Sequence, residues 1–387
     1  MKRPQVALLI ETSNAYARGL LEGVTAYLRE HRGWSIYLSE HGRGDSVPAW
    51  LHGWKGNGII ARIENRVIAN VVRQRGLPTV DVSAARLLPH LPWVETDNEA
   101  MARVALEHLL ERGFRNLGYC GLSDYNWSIW RCEQFKRLAE QAGCACRVHM
   151  TRRRGDRAAD SAAEQRELAA WVRSLPKPAG VWTCYDIRGR QLLEACHAEN
   201  LRVPDDVAVI GVDNDLLLCE LADPPLTSVI PDTHRTGYMA AQLLEKMMDG
   251  KKVRSAPHFV EPLGIATRRS TDVLAINDPD ISAAVHYIRD HACDGISVTQ
   301  VLDVVPLSRR TFEKRFASLI GRTPHEQIIR TQVQRARELL RDTDLPLKAI
   351  AERVGVRHAE YLCVLFKRVM AMSPGQYRKR QRGGGNE

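Results

Sequence analysis

The last hundred residues of the chain repeat themselves, and few folds accommodate that repeat. The stretch "VTQVLDVVPLSRRTFEKRF" (298–316) aligns with "KAIAERVGVRHAEYLCVLF" (348–366). Val301, Val305 and Leu307 correspond to Ile350, Val354 and Val356 at an offset of about 49. Phe312, Phe316 and Pro324 correspond to Leu362, Phe366 and Pro374 at about 50, after one extra residue in the second turn. Each copy predicts a helix, a tight turn and a second helix with apolar residues at i and i+4, which is the helix-turn-helix pattern. The two units fall at about 297–320 and 346–370.

In the first copy Ser308 is placed to cap the second helix. Phe312, Phe316 and Leu319 are then expected to face inward, leaving Arg309, Arg310, Glu313, Lys314 and Ala317 outward. Basic residues in a first turn oppose the helix dipole, at roughly a few tenths of a kcal/mol per charge. Phosphates or base edges in a DNA major groove supply the missing partner. A solvated basic face explains one such helix equally well. Two copies in the one strongly basic segment favour a polyanion. Residues 281–387 hold 19 Lys and Arg against 11 Asp and Glu, a net of +8, and the whole chain is only +9. Such asymmetry is expected when one domain meets nucleic acid and the other does not.

Residues 1–270 follow a different rule. Short apolar strands, "VALLIE" (6–11), "WSIYLSE" (34–40), "NGIIARI" (57–63), "LPTVDVS" (77–83) and "NLGYCG" (116–121), alternate with amphipathic stretches, and "AGVWTCYD" (179–186) and "VAVIGVDND" (207–215) begin a second set. In "NEAMARVALEHLLERG", Val104, Leu106, Leu109 and Leu110 lie near one side and Gly113 ends the helix. Alternation of this kind predicts parallel sheets in α/β layers, with enough units for two lobes. Residues 271–280, "TDVLAINDPD", form a linker to an all-α domain at 281–387, and "RGGGNE" at the end is a frayed tail.

Several classes are disfavoured. No apolar run approaches the roughly 18 residues that span a bilayer. The opening "VALLI" is shorter than the core of a signal peptide and no cleavage site follows, so it reads as a first strand in a cytoplasmic protein. Nine cysteines with no CxxC pair, Cys144 and Cys146 being one residue apart, read as idle thiols. No GxSxG, P-loop, GxGxxG or zinc-ligand spacing is present, and the histidines, His149 and His234 among them, are scattered. No catalytic residue, cofactor or metal is therefore expected. The enzyme alternative is an α/β domain acting on a sugar or nucleotide, with the helical repeat as an accessory. A transport-type binding protein is a third reading, opposed by the absent signal peptide and the basic C-terminal domain.

The C-terminal residues resemble the AraC/XylS family of transcription regulators over about 281–381, through "SRRTFEKRF", "GRTP", "RTQVQRARELL", "IAERVGV" and "FKRVMAMSPGQYRKR". That resemblance implies two recognition helices joined by a long helix and entering successive major-groove segments. It implies DNA contacts at Ser308, Arg309, Arg310, Glu313 and Lys314 in the first helix, and at His358, Ala359, Glu360 and Cys363 in the second. Lys367, Arg378 and Lys379 are better placed for phosphates, which position a protein without reading sequence. The second unit departs from the pattern. Val356 and Leu362 stand where the family has Phe, and Ala371 stands where it commonly has Gly.

The first 270 residues resemble the LacI/GalR-type sugar-binding module, related to periplasmic sugar-binding proteins. The resemblance rests on "TDNEAMARVALEHLLERGFRNLGYCG", "VWTCYDIRGRQLLEAC", "VPDDVAVIGVDND" and "LTSVIPDTHRTGYMAAQLLEKM". It implies a two-lobed, periplasmic-binding-protein-like α/β sensor hinged around a cleft, although LacI-type regulators carry their DNA-binding unit at the other end. A sensor of this kind followed by an AraC-type module is the arrangement of bacterial xylose-operon regulators. D-xylose is then the implied ligand, with operator DNA, a second copy of the chain and RNA polymerase as partners.

Sugar hydroxyls both donate and accept, so a cleft for them needs carboxylates and Arg at strand ends, with aromatic faces against C–H surfaces. Ligands of open α/β sheets bind beyond the carboxyl ends of the strands. Asp186 follows "VWTCY" and Asp213 follows "VIGV". Arg131, expected to begin the helix after "LGYCGLSDYN", stands where LacI-type proteins use an Arg. Glu11, Ser13 and Asn14 after the first strand, and Asp97 and Asn98, are further candidates, with a helix cap as the plain alternative for Asp97. Trp127 and Trp130, placed in the loop before Arg131, are candidates to stack on the ring or to fill the core. Asp213 can equally serve a turn with Asn214 or Asp215.

Overall fold

The computed structural model describes residues 3–31, 33–40, 42, 47–151, 158–272, 278–343 and 345–383. The expected linker and tail thus lie in part outside the described residues. The chain divides into two compact units, Met1–Ala275 and Ile276–Glu387.

Among the described residues, the first unit contains two sheets, each of six strands. The first lobe is built from β1 (Gln5–Leu9), α1 (Ala15–Glu30), β2 (Ser35–Leu38), β3 (Gly58–Ala61), α2 (Arg66–Arg75), β4 (Thr79–Asp81) and β5 (Trp93–Thr96). The chain then crosses to α3 (Asn98–Glu111), β6 (Asn116–Leu122), α4 (Asn126–Gln141), β7 (Cys146–Thr151), α5 (Ala158–Ser174), β8 (Ala179–Thr183), α6 (Asp186–Ala198), β9 (Val207–Val212), α7 (Leu216–Leu221) and β10 (Thr227–Ile230). It returns to the first lobe for α8 (Thr233–Met248) and β11 (Pro257–Val260), and crosses again to β12 (Gly264–Ala266). The strand orders are β11-β5-β4-β3-β1-β2 and β12-β10-β9-β8-β6-β7, parallel except for β12 against β10. Helices cover both faces, which is why β1, β3, β8 and β9 are nearly continuous runs of buried Val, Ile, Leu and Ala.

Three chain crossings separate the lobes, after β5, β10 and β11. Close backbone approach holds α8 on the first lobe. A Cβ on Gly23 would sit 1.9 Å from the His234 carbonyl oxygen, and one on Gly237 would sit 2.0 Å from that of Leu20.

Several expectations change here. β5, β7, β10, β11 and β12 were not anticipated; β5, β10, β11 and β12 are short, and β7, though six residues long, has no buried residue to mark it. In α3 the buried stripe is Met101, Ala102, Ala105, Leu106 and Leu109, and Val104 and Leu110 are only half-buried. Arg131 lies in the second turn of α4, and Trp127 and Trp130 are in that helix rather than in a loop before it.

The second unit is helical among the described residues: α9 (Pro279–His291), α10 (Val298–Leu302), α11 (Arg309–Ile320), α12 (Pro324–Asp342), α13 (Leu347–Arg353), α14 (Ala359–Met370) and α15 (Pro374–Gly383). Helices α10 and α11 form the first helix-turn-helix, α13 and α14 the second, and α12 joins them. Pro324 and a reciprocal Thr323–Glu326 capping box start α12. Phe312 and Phe316 pack edge to face, 5.4 Å between ring centroids, and Phe366 meets Tyr377 at 5.7 Å. Leu319 is a correction: it is exposed, and Ile320 is buried in its place. The i, i+4, i+8 row from Phe312 leads to Ile320, and Leu319 falls to one side of it.

Candidate functional site

Between the lobes lies a small cavity, with about 40 Å³ of room for the centre of a water-sized molecule. Tyr16, Arg62, Val82, Ala84, Glu95 and Thr96 line it from the first lobe. Asn98, Trp127, Arg131 and Asp213 line it from the crossing and the second lobe.

Arg62 ends the strand β3 run and is buried. Its Nη1 donates to Glu11 Oε2 at 2.8 Å, its other terminal nitrogen pairs with Glu64, and its guanidinium lies 5.3 Å from the Tyr16 ring. Burial disfavours its charge, but Glu64 and Glu11 outweigh that and raise its pKa. Tyr16 bonds Thr96 Oγ1 through its hydroxyl at 3.2 Å, and burial pushes its phenol pKa up, so it faces the cavity as a neutral hydroxyl.

Glu95 pairs with Arg86, whose guanidinium rests 4.2 Å from the Trp130 ring. Burial raises the Glu95 pKa against the opposing pull of Arg86. Among the described residues, Glu95 Oε2 and Arg62 Nε are buried with no hydrogen-bond partner. Such unpaired groups are costly, roughly 1–3 kcal/mol each.

Across the cavity, Arg131 Nε donates to Asn98 Oδ1 at 3.2 Å and Nη1 to the Cys184 carbonyl at 2.5 Å. Trp127 lies 5.1 Å from the guanidinium. Asp213 enters at the end of β9 with φ +101°, followed by Asn214 at +49°, so the loop is held in a backbone region most side chains avoid.

The sequence candidates therefore separate. Arg131, Asp213, Asn98 and Trp127 line the cavity. Asp186 does not: its carboxylate is buried beneath the Asp213 loop and accepts from Ser228 Oγ at 2.6 Å and Asp215 N at 2.8 Å. Burial, then the charge of Asp213, pushes its pKa up to about 8. Glu11 is spent on Arg62. Asn14 caps α1 through Ala17 N at 2.9 Å, Asp97 caps α3 through Glu99 N and Ala100 N, and Ser13 is exposed. Trp130 packs on Arg86 rather than in the cavity wall. Arg62, Tyr16, Glu95 and Thr96 were missed. The strand-end rule that selected Asp213 also selects Arg62, whereas Glu95 lies on the unanticipated β5.

The described residues contain no cluster of three or more His, Cys, Asp or Glu suited to a metal. Burial pushes the Cys132 thiol up to about 11 and the Cys184 and Cys196 thiols up to about 12, which leaves them unreactive.

In the helical unit, Ser308 Oγ accepts from Thr311 N at 3.4 Å and caps α11. Arg309, Arg310 and Lys314 are exposed, and Glu313 accepts from Arg309 Nε at 3.0 Å. His358, just before α14, and Glu360 on it are exposed and Ala359 and Cys363 half-buried, with Lys367 on α14 and Lys379 on α15 exposed. Arg357, Tyr361, Val364 and Arg368 were not anticipated there and are exposed on α14 or just before it. Arg378 is engaged elsewhere: its Nε and Nη2 donate to the carbonyls of Leu340 and Leu345, at 3.4 and 2.6 Å.

These features define a transcription regulator in which an α/β sugar-sensing domain precedes an AraC-type helix-turn-helix domain. The profile of a periplasmic binding protein-like domain matches residues 106–271, that of a helix-turn-helix domain matches 302–380, and that of the XylR N-terminal domain matches 5–99. The chain is 32% identical over 382 residues to the xylose operon regulatory protein of Haemophilus influenzae, covering 97% of this chain and 98% of that one. It is 33% identical over 387 residues to the protein of that name from Escherichia coli K12, covering 97% of each. The solved structure of the xylose-binding transcription activator XylR superposes with a TM-score of 0.80 at 32% identity over 98% of both chains. The chain belongs to the family of xylose operon regulatory proteins. Its relatives are transcription regulators and not enzymes, and no described helix is long and apolar enough to cross a membrane.

Proposed function

We propose that this chain is a D-xylose-responsive transcription activator of the cytoplasm. It binds the sugar between its lobes and operator DNA through α11 and α14. The observation that carries the sugar reading is the chemistry of the cavity wall. Glu95 Oε2 is an acceptor without a donor and Arg62 Nε a donor without an acceptor, and a sugar hydroxyl answers either need. Arg131, Asp213, Asn98 and Tyr16 add further donors and acceptors, and Trp127 offers an apolar face.

Closure of the lobes on the sugar shifts a two-state equilibrium, and the DNA-binding units respond to that shift. In this reading residues 1–270 sense, 271–280 link and 281–387 bind DNA as part of a homodimer that contacts RNA polymerase. Ser308, Arg309, Arg310, Glu313 and Lys314 read the first half of each site. His358, Ala359, Glu360 and Cys363 read the second, and Lys367 and Lys379 hold phosphates.

The test is calorimetric titration of the full chain with D-xylose, with L-arabinose, D-ribose and D-glucose as controls, repeated on Asp213→Ala and Glu95→Gln. Xylose-selective heat that both variants weaken supports the reading. Heat that neither variant alters would remove the sugar from this cavity.

A further inference from the structure

The last short helix of the sensing unit among the described residues lies in the segment Arg268–Thr271, and residues 272–278 separate it from α9 of the DNA-binding unit. A terminal segment is ordinarily loose unless it is tied down. This one is tied at Arg268, Ser270 and Thr271. Arg268 N donates to Thr227 Oγ1 at 2.8 Å, and Ser270 Oγ donates to the Val209 carbonyl at 2.6 Å. Thr271 Oγ1 meets His108 Nε2 at 2.8 Å, and its carbonyl accepts from Arg112 Nε at 2.9 Å. Ser270 and Thr271 are fully buried.

The clamp reaches the loop beside the cavity. Arg268 Nη2 donates to Asn214 Oδ1 at 2.9 Å, its Nη1 to the Leu226 carbonyl at 3.0 Å, and its Nε pairs with Glu220 at 2.9 Å. Asn214 directly follows cavity-lining Asp213, in a loop whose next amides are held by Ser228 Oγ and Asp186. The guanidinium side chain is only about one-tenth exposed, so its bonds to Asn214 and the Leu226 carbonyl, both part-buried, are screened less by water and salt than an exposed pair would be. A single hydrogen bond thus joins the loop to Arg268.

We propose that Arg268 is a coupling residue: it ties the ligand-facing Asp213–Asp215 loop to the segment that leads out of the sensor, so that the state of the cleft is passed towards the DNA-binding unit by way of this side chain. The inference rests on the sugar-sensor reading for its purpose, but its geometry does not depend on which sugar binds. Arg268 touches no part of the cavity wall, so its role is transmission and not affinity.

Hydrogen exchange on the full chain tests it in two arms. Without ligand, Asn214→Gly, which keeps the positive φ while removing Oδ1, should accelerate exchange in Arg268–Thr271, on the far side of the hydrogen bond. In the second arm, saturating D-xylose should raise protection of that segment in the unaltered protein. Arg268→Gln should bind D-xylose within about threefold of the unaltered protein and yet lose that response, the loss being of the usual scale of a coupling between sites.

Unchanged exchange at Arg268–Thr271 in Asn214→Gly would overturn the inference, whatever the sugar does. A fall in xylose affinity in Arg268→Gln as large as that in Asp213→Ala would also overturn it, because Arg268 would then be part of the binding site. If the unaltered protein gives no heat with D-xylose but Asn214→Gly still loosens the exit segment, the sugar assignment fails and the coupling stands.

Discussion

The two helix-turn-helix units close their second helices with the same backbone turn but with different residues. Gly321 follows α11 with φ +74°, and its amide donates to the Ala317 carbonyl at 2.9 Å. Ala371, at the corresponding place after α14, adopts φ +56° and ψ +13°. In this left-handed region an L side chain costs about 1–2 kcal/mol. Ala371→Gly removes that strain and returns roughly 0.5–1 kcal/mol of it as added freedom in the unfolded chain. The Ala371 side chain is exposed, so little burial is lost with the methyl. The expected result is a net stabilisation of about 0.5–1 kcal/mol. Native-state hydrogen exchange of α14 in the full chain should show this as about two- to fivefold greater protection where opening is local. Gly321→Ala should do the reverse in α11. Slower-exchanging α14 amides in Ala371→Gly together with faster α11 amides in Gly321→Ala would support the strain argument. Unchanged or faster exchange in Ala371→Gly would refute it, and would mean that the second unit has absorbed the alanine without strain.

Arg131→Lys keeps the charge but cannot serve Asn98, the Cys184 carbonyl and a ligand from one planar fork. Titration with D-xylose should show about ten- to 150-fold weaker binding, the worth of one charge-assisted hydrogen bond, and an unaltered affinity would take Arg131 out of the sugar's reach. Asp186, with its pKa raised to about 8, holds its proton to higher pH in the native state than in the unfolded chain. Its contribution to stability is therefore complete below about pH 4 and lost as pH rises towards 8, at up to about 1.4 kcal/mol per pH unit. Urea unfolding of Asp186→Asn between pH 5 and 8 should fall less with pH, and curves parallel to those of the unaltered protein would contradict the assignment. Lys314→Ala should lower the salt slope of binding to a mixed-sequence DNA duplex by about 0.9, as read by fluorescence anisotropy. Arg378→Ala should leave that slope unchanged and destabilise the helical unit by about 1–3 kcal/mol, because the Leu340 and Leu345 carbonyls lose their donor; a changed slope with unchanged stability would make Arg378 a phosphate contact after all.

The sequence by itself determined the architecture. The duplicated pattern of Val301, Phe312 and Phe316 against Ile350, Leu362 and Phe366 marks two helix-turn-helix units, because local periodicity decides which face of a helix is buried. Strands such as "VAVIGV" were legible for the same reason: a run buried on both faces carries its apolar signal in every residue. Short strands such as β5 and β12 carry too few residues for any period to emerge, and they became strands through pairing with distant neighbours.

The tertiary structure decided the site. Strand-end position placed Asp213 beside the cavity, but it placed Asp186 there on the same grounds, and only the fold shows that Asp186 supports the loop from below. Glu95 could not be found from its neighbours, because its role arises from two lobes brought together by three chain crossings. Asp97 and Asn14 were plausible ligands in one dimension and are helix caps in three. Hydrogen-bond partners decide what a polar residue does, and those partners lie as far away in sequence as Arg131 from Asn98 or Arg268 from Asn214.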